Sequence, residues 1–183
     1  MCFEVCSALD GHSITGVLTG GSAATIYAPD VYMSYDADSV LTNFQERGHL
    51  EQALAGIGYV PSVVVGMYQH PKTVFTLDFP RGPLAVGGDY IHETTTLERG
   101  DLRLRILTAT DCVRDRLAAS YHWNDFTSLN AAVGVARAHR DRIDFSRLRE
   151  WTERESGPPP VDYESKYAEF LKRVEETPTR DKG

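Results

Sequence analysis

The stretch LTGGSAATIYAPDVYMSYDADSV, residues 18–40, decides the fold. An apolar run ends in Gly20-Gly21-Ser22, and about fifteen residues later Asp36 and Asp38 follow, separated by one alanine. On a strand, residues i and i+2 share a face, so both carboxylates point the same way, a few ångströms apart. Two like charges that close raise each other's pKa, and a divalent cation between them removes the repulsion. Magnesium is held by one or two carboxylates together with substrate phosphates, which makes Asp-x-Asp half of a Mg2+ or Mn2+ site. A bare Asp-x-Asp is equally a pair of solvated acids on a surface strand, so the surroundings have to decide.

Upstream, SITGVLTGG predicts a strand over 14–19 that runs into the glycine turn, and SAATIYA predicts a helix stopped by Pro29. Glycines at a strand-to-helix junction allow close backbone approach, and the free N–H groups at a helix start cradle an anion. Ser22 adds a hydroxyl donor. No Gly-Lys-Ser/Thr follows, so this is not the longer phosphate-loop pattern. Downstream, VFTLDFP places Val74, Thr76 and Asp78 on one strand face. If that strand lies beside the one carrying Asp36 and Asp38, three carboxylates converge and two metal ions can be held. Asp78 could then also accept a proton from an attacking hydroxyl. The competing reading makes it a strand-end residue beside the turn at Pro80.

Along the rest of the chain, a short helix is predicted over 3–10, ending at Gly11, and a longer one within 41–59, ending at Gly56 and Gly58. Strands are predicted over 62–68, 72–80 and 101–107. In the last, Leu102, Leu104 and Ile106 alternate with Arg103 and Arg105, a half-buried strand with arginines on one face. From residue 110 the pattern is helical. Thr110 or Asp111 caps one helix, and a second starts near Asn124 or Asp125. A third is capped by Asp144 or Ser146, and a last amphipathic helix follows the break at 156–160.

The chain has 183 residues and a net charge of −7. Its charge is uneven: residues 1–98 hold three basic and eleven acidic residues, whereas 99–149 hold ten arginines, no lysine and six aspartates. An acidic half facing an arginine-rich segment suits a site that combines metal ions with a polyanion, although arginine clusters also serve as solvated helix surface. Overall acidity argues against a large nucleic-acid footprint. Three cysteines without a CxxC pair suggest neither a disulfide framework nor a zinc knuckle. The six histidines show no metal-ligand spacing, and none lies beside the aspartates, which argues against a nuclease or phosphodiesterase. No apolar run has membrane-spanning length and the N-terminus has no basic leader, so a cytoplasmic protein is expected.

With GGSA, a spacer, Ser34-x-Asp36-x-Asp38 and a later strand acid, the chain resembles the nucleotidyltransferase superfamily. The likeness is greatest to the compact bacterial nucleotidyltransferase-like proteins grouped with AbiEii-type abortive-infection toxins. The resemblance implies an α+β fold: a mixed sheet flanked by helices, with residues 1–107 as the core and 108–183 as a C-terminal helical part. It implies phosphate binding at Gly20, Gly21, Ser22 and Ser34, and metal binding and catalysis at Asp36, Asp38 and Asp78. Where many relatives carry a basic residue just before the serine, this chain has Tyr32 and Met33. The phosphate-side cation would then come from Arg103, Arg105, Arg114 or Arg116. The implied activity moves a nucleoside monophosphate from a nucleoside triphosphate to a hydroxyl on an RNA end, a protein or a small molecule, releasing pyrophosphate. The alternative is an inactive module of the same fold that binds a nucleotide or a protein partner, such as the antitoxin of a toxin–antitoxin pair.

Overall fold

A computed structural model describes residues 1–43, 47–157 and 162–176. The chain opens with helix α1 (Cys2–Gly11) and strand β1 (Gly16–Leu18), which drops directly into α2 (Gly20–Tyr27). It returns as β2 (Asp36–Leu41), antiparallel to β1 with Leu18 opposite Ser39. After α3 (Arg47–Ala55), a hairpin of β3 (Val60–Pro61) and β4 (Met67–Gln69) leads to β5 (Thr76–Asp78), which lies parallel to β2. Strands β6 (Ala85–Val86) and β7 (Asp89–Tyr90) form a separate small hairpin. The hairpin of β8 (Thr94–Arg99) and β9 (Leu102–Leu107) then sets β9 parallel to β1 at Ile106. The result is one mixed seven-stranded sheet, ordered β3-β4-β5-β2-β1-β9-β8. Helices α4 (Ala109–Trp123), α5 (Phe126–Ala138), α6 (Phe145–Glu155) and α7 (Glu164–Glu175) follow.

All three residues of β1 are buried, because helices cover this central strand on both faces. α1 packs on the face carrying Leu18, Ala37 and Ser39, and it also seals the open edge of β9. There the Ser7 hydroxyl accepts from the Arg103 N–H at 2.9 Å, and Cys6 Sγ accepts from the Arg105 N–H at 3.3 Å. The C-terminal helices start where side chains can cap them. Thr108 accepts from the Asp111 N–H, Asp125 from that of Thr127, and Asp144 from that of Arg147. No helix among the described residues is long and apolar enough to cross a membrane.

Four expectations change. The strand predicted over 72–80 is confined to β5 (Thr76–Asp78), and Val74 lies outside it, exposed. The helix predicted within 41–59 is shorter, since β2 runs through Leu41 and α3 spans Arg47–Ala55; residues 44–46 lie outside the described part. The strand predicted over 62–68 is a turn, with the Ser62 N–H donating to the Met67 carbonyl and Gly66 at φ +93°. Its valines Val63, Val64 and Val65 are therefore exposed, and only Met67 onward pairs. The cap of α4 is Thr108, ahead of the predicted Thr110 or Asp111, because its hydroxyl reaches the Asp111 N–H at 3.1 Å.

Asp111 instead enters a buried ion network. Its Oδ1 lies 3.2 Å from Arg114 Nη2 and 3.0 Å from Arg147 Nη2. Arg114 and Arg154 both reach Asp89 Oδ2, at 3.2 and 2.6 Å, which ties β7 to α4 and α6. Asp111 and Arg114 are almost wholly shut off from water. Removing one partner of such a pair strands the other, so Asp111→Ala is expected to lower unfolding stability by about 3 kcal/mol or more. Urea denaturation measures this; a loss below about 1 kcal/mol, the range of exposed ion pairs, would mean the network is solvated.

Candidate functional site

The pairing of β2 with β5 assembles the acids. Asp36 lies opposite Thr76, and Asp38 opposite Asp78, in a parallel ladder. Paired residues of neighbouring strands share a face, so all three carboxylates rise from one side of the sheet. Between them Ala37 and Leu77 point the other way into the core, each almost fully buried. Period-two alternation thus separates a charged face from an apolar one along six residues of chain.

The glycine junction brings a helix end up to that charged face. Gly20 sits at φ +66°, and a Cβ there would fall on the Asp38 carboxylate. A Cβ on Gly21 would lie 2.8 Å from Tyr32 Oη and 2.9 Å from Ser34 Oγ. Only glycine permits both approaches. The Thr19 N–H donates to the Asp38 carbonyl at 2.9 Å and fixes the spacing. No side chain caps α2, so the first N–H groups of a helix, with its positive dipole end, stand beside Asp38.

The two serines hold this geometry. Ser22 Oγ donates to the Asp36 carbonyl, tying the first turn of α2 to β2. That hydroxyl, expected from the sequence to meet a phosphate, is buried and committed to the backbone. Ser34 Oγ donates to Asp36 Oδ1, and the Ser34 N–H donates to Thr25 Oγ1 at 2.9 Å. Ser34 therefore orients the Asp36 carboxylate.

Charge at the site is unbalanced. Asp38 is pushed up to about 6, first by burial and then by Asp36 and Asp78; Arg116 opposes the shift. Arg116, on α4, pairs with Asp115 at 2.7 Å and donates to Ser128 Oγ at 3.3 Å. Asp115 adds a further negative charge and was not singled out for the site in the sequence. Its helical offset from the Asp111 and Arg114 positions was the available signal. Tyr32, placed where a cation was expected, sits against Gly21 and acts on Arg116.

Arg103 and Arg105 require a correction. Arg105 is committed to an ion pair with Asp10 of α1. Arg103 pairs with Glu98 of β8 at 3.6 Å. Alternation put these arginines on a common face without telling which acids would pair with them. The structure brings together Gly20, Gly21, Ser22, Ser34, Asp36, Asp38, Asp78 and Arg116, and leaves Arg103 and Arg105 apart.

The donor set fits a hard divalent cation. Its atoms are carboxylate oxygens, one of them destabilised in its charged form by its neighbours, which is the condition a cation relieves. Among the described residues no three acid, histidine or cysteine side chains are drawn close enough to cage an ion alone.

No family profile and no curated protein matches the chain. In fold it is similar to the antibiotic-resistance factor ANT(2'')-Ia, an aminoglycoside nucleotidyltransferase, whose solution structure shares 14% identity with it. The two superpose with a TM-score of 0.50 over 92% of each chain. At this identity the likeness is one of fold. It accords with the expected α+β architecture of a mixed sheet flanked by helices with a C-terminal helical part.

Asp38 gives a signed pH prediction. Its carboxyl binds a proton more tightly folded than unfolded, so ionising it opposes folding as pH rises through the interval from about 4 to about 6. In chelator-treated protein at pH 8, Asp38→Asn should be more stable than wild type by about 1–2 kcal/mol, after discounting for the solvent that still reaches the group. The difference should vanish near pH 4, and magnesium should stabilise wild type but not the variant. Denaturant midpoints across pH measure it; a variant less stable at pH 8 contradicts the crowding of the acids.

Proposed function

We propose that this chain is a metal-dependent nucleotidyltransferase that moves a nucleoside monophosphate from a nucleoside triphosphate to a hydroxyl acceptor. The observation that carries this reading is the in-register pairing of Asp38 with Asp78 beside the uncapped glycine start of α2. Three acids and a helix N-terminus are what a triphosphate, its counter-ion and an incoming hydroxyl need at one place. The fold shared with ANT(2'')-Ia adds support.

Asp36 and Asp38 would hold the divalent ion, and Ser34 keeps Asp36 oriented for it. When bound, the ion neutralises triphosphate charge and polarises the phosphorus under attack. The N–H groups of Gly21 and Ser22 take phosphate oxygens at the end of α2. Asp78 takes the proton from the acceptor hydroxyl. The acceptor oxygen bonds the α-phosphorus, the bond from that phosphorus to the bridging oxygen breaks, and pyrophosphate leaves with the electron pair. Arg116, held by Asp115, supplies a positive charge facing Asp38 from α4. An AbiEii-type affiliation and an antitoxin partner form no part of this reading.

Transfer is testable with labelled triphosphates, magnesium and a deproteinised extract as the source of acceptor hydroxyls. Wild type should release pyrophosphate and label a product. Asp78→Asn should lower kcat by about 10²–10⁴-fold with the triphosphate KM nearly kept, as for loss of a general base. Asp36→Asn and Asp38→Asn should lose triphosphate binding as well. Equal activity of Asp78→Asn and wild type contradicts the role of Asp78; labelled product from all three variants contradicts the site.

A further inference from the structure

A cleft of about 250 Å³ opens on the face of the sheet that carries the three acids. Its place there follows from the strands. Val40, in its wall, lies two residues beyond Asp38 on β2 and so shares its face. Two residues of strand span about 7 Å, so the cleft begins one side-chain step from the Asp38–Asp78 pair. Thr19, also in the wall, donates its N–H to the Asp38 carbonyl. The chain from Pro80 onward, which leaves β5 just after Asp78, lines another part. Asp115 borders the cleft from α4, and its charge acts on Asp38.

Among the described residues, two charged side chains line this cleft, Arg81 and Asp115, and they form no ion pair with each other. Arg81 is exposed and has no ion-pair or hydrogen-bond partner among the described residues. It stands at the corner after β5 and also borders a cleft on the apolar face, but the cleft on the acid face is the one it shares with Asp115. Asp115 gives Oδ2 to Arg116, at 3.1 Å from Nε and 2.7 Å from Nη2, while its Oδ1 bonds nothing among the described residues. Between the two charges the wall is apolar, with Val40, Val86 and Leu107. Opposite charges that face one small cavity without satisfying each other match a molecule that carries both signs. A polycation would bring ammonium groups against Arg81, and a polyanion would bring like charge against Asp115. The volume is below that of a drug-sized site and suits a molecule the size of an amino acid.

We propose that this cleft is the acceptor subsite, and that the acceptor is a hydroxyl-bearing zwitterion of amino-acid size with an apolar body. This assignment rests on the transfer reading and narrows its acceptor. The ammonium group takes the free Oδ1 of Asp115, the carboxylate takes Arg81, and the apolar body lies on Val40, Val86 and Leu107. The hydroxyl points along β2 toward the acids. Its oxygen bonds the α-phosphorus, its proton passes to Asp78, and pyrophosphate leaves with the electron pair. Arg81 and Asp115 are thus specificity-determining residues. Asp115 has a second duty, since it also holds Arg116; Arg81 has none among the described residues, so its substitution reads out recognition alone.

The test is a ligand-observed NMR titration on the full chain at neutral pH with four probes. These are L-tyrosine; tyramine, which lacks its carboxylate; 3-(4-hydroxyphenyl)propanoate, which lacks its ammonium group; and the polycationic aminoglycoside kanamycin. Wild type is expected to bind tyrosine at least tenfold more tightly than either truncated probe, with kanamycin weakest. Arg81→Gln should bring tyrosine down to the level of tyramine, and Arg81→Glu should make tyramine the tighter of the two. Asp115→Asn should bring tyrosine down to the level of the propanoate. Binding of tyramine as tight as that of tyrosine, tightest binding of kanamycin, no binding of tyrosine, or an Arg81→Gln variant that keeps the preference overturns the assignment. Magnesium–triphosphate titrated into the same samples separates the two claims. A triphosphate response without a zwitterion preference retains transfer and sinks the acceptor class. A zwitterion preference without a triphosphate response retains the binding site and counts against transfer.

Discussion

The arrangement depends on one close approach: the Asp38 carboxylate occupies the space where a side chain at residue 20 would be. Everything around the site follows from letting a helix begin there. Gly20 accepts a left-handed backbone, Gly21 clears Tyr32 and Ser34, and Thr19 bonds the Asp38 carbonyl. The sheet then brings Asp78 alongside through β5. A carboxylate is thereby placed close to two others and to a helix dipole of opposite sign, in partly dehydrated surroundings. In the absence of a cation this is an unfavourable concentration of charge. Sites that bind phosphate and metal together need that imbalance, because the ligand relieves it.

The rest of the molecule uses its charge differently. The arginine-rich segment 99–149 looks in sequence like a counterpart to the acidic half. In the structure much of its charge is engaged in pairs and hydrogen bonds within the fold. Arg103 and Arg105 tie β9 to β8 and α1, Arg114 and Arg147 neutralise Asp111, and Arg137 donates to backbone carbonyls at the end of α7. Of this segment, Arg116 bears on Asp38. Local charge balance and site chemistry are thus supplied by different arginines.

This division explains what could be read from the sequence. The common face of Asp36 and Asp38 follows from strand periodicity alone, and the meaning of the glycines from their place between strand and helix. That Asp78 shares their face needed the parallel pairing of β2 with β5, which no local pattern encodes. The alternation of Arg103 and Arg105 was legible, but not that Glu98 and Asp10 would pair with them. Ser22 and Ser34 were recognisable as polar groups at the right places; their partners, a carbonyl and a carboxylate, are set by packing. The two-residue strands β6 and β7 are too short for any period to show. The valine run at 63–65 has strand composition, and the backbone turn at Gly66 overrides it.

The most direct measurement is calorimetric titration of each of the four nucleoside triphosphates, with and without magnesium, into wild type and into the Asp36→Asn/Asp38→Asn double variant. The account predicts magnesium-dependent binding of at least one triphosphate to wild type and its loss in a double variant that still unfolds cooperatively. Failure of every triphosphate to bind well-folded wild type, or unchanged binding by the double variant, would contradict it.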